Sequence, residues 1–265
     1  MKDQILQYLS PEYPWKSQLH FLPEVDSTND YLKKLAASGA PHGTAVLSDH
    51  QTGGHGRRGR GFHSPAGVGI YLSMLLRPGC APAQLMHLTC ATGIAMCDAI
   101  ETAAGFRPGI KWTNDLVYDR RKLGGILTEL RLDSRGLVDY AIIGIGINCC
   151  QKAEDFPEDI RSTAGSLSMV AGTEVPRCRV AAAELDALYA MSRRLLTEKE
   201  ALMEQYRKDC ITIGQDVSLV RGDEIRHGTA LDIDAEGALL VRFPDGHTEA
   251  VNSGEVSVRG MYGYV

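Results

Sequence analysis

Two stretches of the chain carry residues able to do chemistry. Between Gly53 and Gly61 it reads GGHGRRGRG, five glycines and three arginines in nine residues. Glycine lets a backbone approach a ligand and turn its N–H groups inward, and arginine offers planar, permanently charged donors that match carboxylate or phosphate. The pattern predicts an anion-binding loop; taken alone, such a stretch also reads as a solvated hinge or an RNA-binding RGG segment. Further along, KWTNDLVYDRRKLGGILTEL joins an apolar run, a polar TND interruption and a lysine, Lys122, two residues past a turn and followed by Gly124 and Gly125. Alone, a lysine opening a strand reads as a solvated edge residue. Familiar nucleotide loops are absent: no GxxxxGK[ST] occurs, and GIGINCC lacks the GxGxxG register with a helix behind it. A glycine pair inside a strand reads instead as close packing.

These residues need elements to hold them. DSTNDYLKKLAASG predicts a helix capped by Asp26 or Ser27, with Tyr31, Leu32, Leu35 and Ala36 as its apolar stripe and Gly39 as its stop. Thr44 to Ser48 and Val68 to Leu76 read as strands flanking the arginine loop. Ala83 to Gly105, rich in Ala, Leu and Met, predicts one long buried helix. IKWTNDLVY, KLGGILTEL and LVDYAIIGIGIN predict three strands of a mixed sheet, with DRRK as the turn between the first two. Pro176 to Lys208 turns helical, with Ala181, Leu185, Leu188 and Tyr189 on one side and Glu184 and Asp186 among the polar positions. Beyond Cys210 four or five short strands separated by RGDE, DAEG and PDG turns predict a small β-barrel, and a domain boundary falls near residue 210.

Composition narrows the function classes. A chain of 265 residues, 44% hydrophobic and 23% charged, is ordinary for a globular protein. Its net charge of -5 argues against a general nucleic-acid coat, so the anion held by the arginines should be small and local. No run of about 18 apolar residues suggests a membrane span, and the N-terminus lacks the apolar core of a signal peptide, which predicts a cytoplasmic address. The seven cysteines show no CxxC pair, and the adjacent Cys149 and Cys150 do not readily bridge each other, so reduced thiols are expected. The histidines show no HxxxH or HExxH spacing, and no protein-built metal site is predicted.

Four blocks taken together resemble the biotin protein ligase family, the biotin-[acetyl-CoA-carboxylase] ligases: STN at Ser27 to Asn29, QTGGHGRRGRGFHSPAGVGIYLSMLLRP from Gln51, KWTNDLVYDRRKLGGILTEL from Lys111, and IIGIGIN ending at Asn148. They stand in the family's order over roughly residues 20–150. The resemblance implies an α+β fold: a mixed β-sheet catalytic domain packed with helices, class II synthetase-like, over residues 1–210, and an SH3-like β-barrel over residues 211–265. It also implies a two-step reaction. Biotin and ATP, with its Mg2+, give biotinyl-5'-AMP and pyrophosphate; a lysine of the biotin carboxyl carrier protein then takes the biotinyl group.

Roles follow from the resemblance residue by residue. Ser27, Thr28, Asn29 and Gln51 match contacts to the biotin ureido group. Gly54 belongs to the loop, and the backbone of His55 and Gly56 together with Arg57 matches the lining of the biotin tail and linking phosphate. Arg60 matches a triphosphate contact and Phe62 an aromatic beside the adenine. Asn114 and Asn148 match nucleotide-side asparagines, and Lys122 matches the lysine between the biotin carboxylate and the α-phosphate. Lys122 and Arg57 are the expected catalytic pair. His55 stands where the family often has Arg or Lys, which removes a permanent charge, and Thr113 stands where proline is common.

Repressing members carry a helix-turn-helix segment before STN, whereas 26 residues precede it here, so no specific DNA binding is expected. A homodimer is common in the family. Lipoate protein ligases, which share the fold, are the nearest enzymatic alternative. A non-catalytic protein that holds biotin or its adenylate is the second.

Overall fold

The computed structural model describes residues 1–252 and 257–260. Its larger part is a seven-stranded mixed sheet in the order β1-β2-β3-β7-β6-β5-β4. The strands are β1 (Leu19–Leu22), β2 (Ala45–Ser48), β3 (Gly69–Leu76), β4 (Gly109–Lys111), β5 (Asp115–Tyr118), β6 (Arg121–Leu132) and β7 (Val138–Asn148). Only β1 and β2 run parallel; the other neighbours are antiparallel.

The central strands are buried on both faces. α2 (Thr28–Ala37) covers one of them, its Leu32 and Ala36 packing with Val46, Leu75, Tyr140 and Ile142. α3 (Leu88–Ala104) and α5 (Arg177–Arg194) cover the other, against Leu72, Met74, Leu76, Ile143, Ile145 and Ile147. Strand side chains alternate between faces. In the stretch Ile143–Gly144–Ile145–Gly146–Ile147 the isoleucines therefore fill the main core, and both glycines face the side that α2 occupies. That alternation clears a hollow over the middle of the sheet.

Around this frame lie α1 (Lys2–Tyr8), α4 (Leu167–Ala171) and α6 (Lys199–Asp209). The expected helix over residues 83–105 begins later. Pro82–Leu85 forms one 3-10 turn, and the α-helix starts at Leu88 and ends on Gly105 at φ +80°. IKWTNDLVY is not one strand: β4 and β5 form an antiparallel pair, and Trp112–Asn114 reverse the chain between them. The next reversal is a two-residue turn at Asp119 and Arg120, both at positive φ, 45° and 60°. This is the twist that tight hairpins favour.

Glu184 departs from its expected polar position. It is fully buried, and burial raises its carboxyl well above the usual range.

Beyond α6, β8 (Asp216–Arg221), β9 (Glu224–Ile233), β10 (Leu239–Arg242), β11 (Thr248–Val251) and β12 (Ser257–Gly260) form a second, antiparallel sheet in the order β11-β10-β9-β8-β12. Among the described residues no ladder joins β11 to β12. The sheet is anchored beneath the β4–β5 reversal. Trp112 Nε1 donates to the Gly237 carbonyl at 2.9 Å; the same reversal is held from α6 by Tyr206 Oη, which donates to the Thr113 carbonyl at 3.1 Å, and from the segment after α6 by Thr212 Oγ1, which accepts from the Trp112 amide at 2.9 Å. No described helix is long and apolar enough to cross a membrane.

Candidate active site

The hollow above Gly144 and Gly146 is a cavity of about 830 Å³, open at the surface. Ser27, Thr28, Asn29 and Gln51 form one part of its wall. Another part holds five cationic side chains, Arg57, Arg58, Arg60, Lys111 and Lys122, beside two carboxylates, Asp115 and Asp159. The excess of positive charge, in a chain with a net charge of -5, suits the cavity to an anionic ligand.

The neutral part is wired in place. Ser27 caps α2, its hydroxyl accepting from the Asp30 amide at 3.4 Å, and so Thr28 and Asn29 open the helix over the sheet. The Thr28 amide and hydroxyl both donate to Gln51 Oε1, at 2.9 and 3.0 Å. Gln51 Nε2 donates to Ser64 Oγ at 3.1 Å, and Ser64 donates to the Phe62 carbonyl at 2.9 Å. Asn29 Nδ2 donates to Glu129 at 2.8 Å, while its Oδ1 accepts from Ser73 at 2.5 Å. These partners settle which way both amides point, and so what each offers a ligand.

Gly144 makes room for this arrangement. A Cβ there would lie 2.2 Å from Asn29 Oδ1. Gly146 does the same for Phe62, whose Cε1 would be 2.4 Å from an added Cβ.

The charged part is built on the arginine loop and the β5–β6 hairpin. Gly54 sits behind the cavity wall, and a Cβ there would stand 2.5 Å from Ser64 Oγ and 2.8 Å from the Phe62 carbonyl. It therefore lets the loop close on its own base. His55 and Gly56 line the cavity, with His55 Nδ1 turned back 3.1 Å from the Gly53 carbonyl. Arg57 donates to Asn114 Oδ1 at 2.8 Å, and Asn114 in turn donates to the Ile126 carbonyl at 3.0 Å. Burial lowers the pKa of Arg57, but a guanidinium keeps its charge. Arg58 reaches the second sheet, donating to the Val220 carbonyl at 3.4 Å. Lys122 pairs with Asp115 at 2.6 Å, both half-buried. Gly125 leaves space beside that pair, its Cβ position 3.3 Å from Lys122 Nζ.

Eleven of the residues expected from the sequence thus line one cavity: Ser27, Thr28, Asn29, Gln51, His55, Gly56, Arg57, Arg60, Phe62, Asn114 and Lys122. Asn148 lies behind the wall. Its Nδ2 donates to the Lys122 carbonyl at 3.3 Å and the Gly165 carbonyl at 3.0 Å, which ties it to the strand that carries Lys122.

Sequence reasoning passed over several others. Lys111 and Asp115 stand inside the KWTND block, where a charged pair at the ends of a polar interruption was a usable signal. Ser73 and Glu129, which orient Asn29, carried no signal, because their pairing with α2 is a product of the fold.

Comparison with known proteins adds an independent line. The family described as Biotin/lipoate A/B protein ligase matches residues 21–148, and the Biotin protein ligase C terminal domain matches residues 212–259. The chain is 36% identical over 226 residues to the bifunctional ligase/repressor BirA of Bacillus spizizenii, covering 84% of this chain and 68% of that protein. It is 33% identical over 248 residues to the biotin–[acetyl-CoA-carboxylase] ligase of Mycobacterium tuberculosis, covering 91% and 89%. Among solved structures, the biotin protein ligase of Aquifex aeolicus in complex with biotin and ATP superposes with a TM-score of 0.77 at 30% identity, over 91% of this chain and 98% of that one.

Proposed function

This chain belongs to the biotin protein ligase family, and from that premise we propose how its cavity does the work. The protein is an ATP-dependent ligase that activates biotin as biotinyl-5'-AMP and transfers it to a lysine of an acceptor protein. The observation that carries the site reading is the pairing of a neutral polar wall with a cationic one inside a single cavity.

Ser27, Thr28, Asn29 and Gln51 take the ureido ring, a neutral group with one acceptor and two donors. An apolar dithiolane has no use for four polar side chains, which favours biotin over lipoate. The biotin tail then runs toward the charged loop. Its carboxylate and the α-phosphate repel each other, and Arg57 and Lys122 lie where they can screen that repulsion. The carboxylate oxygen attacks the α-phosphorus and pyrophosphate leaves. As charge develops on the phosphorus-bound oxygens, Lys122 exchanges Asp115 for them. Preorganised charge and proximity of this kind supply on the order of 10 kcal/mol of barrier reduction.

Arg60 takes the triphosphate and Phe62 lies beside the adenine. Asn114 orients Arg57, and Asn148 keeps Lys122 in position. Magnesium would come with ATP and would supply charge neutralisation at the phosphates. In the second step the acceptor lysine attacks the acyl carbon and AMP leaves.

We place the catalytic domain at residues 1–210 and an SH3-like unit at residues 211–265, the second sheet supporting the β4–β5 reversal and Arg58. The acceptor we propose is the biotin carboxyl carrier protein and the address the cytoplasm, and a homodimer is the assembly that the family resemblance suggests. Seven unbridged cysteines fit a reducing compartment. Intact-mass spectrometry of a carrier domain incubated with the protein, biotin and MgATP tests the reading. One biotinyl increment that requires ATP is expected. Transfer of lipoate alone, or tight biotin binding with no increment, would overturn it.

A further inference from the structure

Immediately after Asn148, the last residue of β7, stand two adjacent cysteines that adenylation does not use. Neighbouring side chains in a strand point to opposite faces. Here the chain has left the strand, and both sulfurs turn to one acceptor, with Cys149 Sγ 3.5 Å and Cys150 Sγ 3.4 Å from the Val175 carbonyl oxygen. Cys149 is buried, whereas Cys150 is partly open to solvent. The neighbouring Cys149 thiol, with Ser168 and the Arg177 guanidinium, lowers the pKa of Cys150; the Cys150 thiol, with burial, raises that of Cys149. One sulfur is therefore a reachable nucleophile, and the other is a protected partner beside it.

We propose that Cys149 and Cys150 form a redox modification site, closed by a hydroperoxide to a vicinal disulfide that loosens the hold on Lys122. In the first step the Cys150 thiolate attacks a peroxide oxygen. The O–O bond of hydrogen peroxide breaks, leaving a sulfenic acid on Cys150, and the departing hydroxide takes up the proton that the Cys150 thiol released, giving one water. Cys149 sulfur then attacks Cys150 sulfur, the S–O bond breaks, and the departing hydroxide takes the Cys149 proton as a second water. Two thiols lose two electrons and the peroxide gains them.

Adjacent Cα atoms lie only ~3.8 Å apart, short of the roughly 4.4–6.8 Å of ordinary disulfides. The ring is strained, and strained disulfides are the readily reduced ones. That strain keeps the pair as dithiols at rest and makes the modification reversible. It also transmits closure to the site, because the flanking backbone is pinned on both sides. The Cys150 amide donates to the Val68 carbonyl at 2.8 Å, and the Ser168 amide donates to the Cys149 carbonyl at 2.9 Å. A twist between the two cysteines must displace these bonds or move Asn148, whose amide holds the Lys122 and Gly165 carbonyls.

The test treats the full chain with hydrogen peroxide, alkylates the remaining thiols and maps the peptides by mass. The peptide containing both cysteines is expected to be unalkylated, lighter by two hydrogens, and restored by dithiothreitol. Cys149→Ser and Cys150→Ser should each abolish that species. This readout on the wild-type chain needs neither a well-folded variant nor ligase activity, so it is independent of the proposed reaction.

Biotin adenylation by the oxidised protein should fall on the order of tenfold, the scale of a buried amide losing its hydrogen bonds, and return on reduction. The double serine variant should keep its activity through the treatment. Cys150 carried to a sulfinic acid with Cys149 still alkylatable, or Cys150 paired with Cys178, would overturn the site. A vicinal disulfide with unchanged adenylation would overturn its coupling to Lys122.

Discussion

The glycines of β7 offer the sharpest test of how the cavity is built, because two alanine substitutions two residues apart should have different consequences. In Gly144→Ala the new Cβ would stand 2.2 Å from Asn29 Oδ1, 2.7 Å from its Cγ and 2.8 Å from its Nδ2. Reaching ordinary contact at 3.4 Å requires the amide to retreat by about 1.2 Å. Asn29 is 4% exposed and is tied to Ser73 at 2.5 Å and to Glu129 at 2.8 Å, so it cannot retreat without breaking those bonds. Overpacking costs about 1–3 kcal/mol and the two hydrogen bonds add about 1–3, which together predicts a loss of roughly 2–4 kcal/mol of stability after partial relaxation. Biotin affinity should drop at least about tenfold, since each 1.4 kcal/mol is a factor of ten.

In Gly146→Ala the Cβ meets the Phe62 ring at 2.4 Å, but that ring is half-buried on a surface loop and can swing outward. Stability should change by less than about 1 kcal/mol, with biotin binding kept and nucleotide binding weakened. Urea melts and titration calorimetry with biotin and with ATP separate the cases. A Gly144→Ala protein with wild-type stability and biotin affinity would refute the assignment of Asn29 to a locked ureido contact. Equal damage from both substitutions would refute the division of the cavity into two parts.

Three further perturbations probe other parts of the molecule. Lys122→Ala removes the charge placed at the reacting phosphate and should lower the rate of adenylate formation about 10²–10³-fold, read by pyrophosphate release, with biotin binding little changed; a wild-type rate would displace Lys122 from that role. Arg57→Gly should loosen the loop so that the adenylate escapes, seen as biotinylation of lysines on a bystander protein such as serum albumin, and strict carrier specificity in this variant would argue against Arg57 as the retaining group. Glu184→Gln concerns stability. The carboxyl is fully buried, both oxygens lack a hydrogen-bond partner among the described residues, and its pKa is raised above 4.5. A raised folded-state pKa means that the contribution of Glu184 is present below pH 4.5 and lost as pH climbs toward the folded value. The variant's stability relative to wild type should therefore improve from pH 5 to pH 8 in urea melts, and a pH-independent difference would show that Glu184 is ionised or solvated in the folded chain.

Local chemistry makes much of this protein legible from its residues. The Gly/Arg loop points to an anion on its composition alone, because glycine and arginine act through their own backbone freedom and charge wherever they are placed. Ser27 as a cap, Gly39 and Gly105 as helix stops and the Asp119–Arg120 turn are likewise decided within a few residues of sequence. The four blocks suffice to indicate the family, since their order along the chain needs no fold to be read. Local rules fail where distant segments decide the outcome. The β4–β5 reversal depends on Thr212 and Gly237, far along the chain, to accept from Trp112. Glu184 matches a polar helix position and is buried because α5 packs on the sheet.

Residue types and their order set which groups are available and their local geometry: cations in a glycine-rich loop, amides and hydroxyls at a helix start, glycines at alternate positions in a strand. Which of these face one another is a matter of how the chain packs. Asn29 over Gly144, Phe62 over Gly146, Lys122 against Asp115 and Asn148 behind rather than on the wall all follow from how strands register and helices lie across them. Such contacts join residues distant in sequence, and no short-range rule of propensity or spacing encodes them.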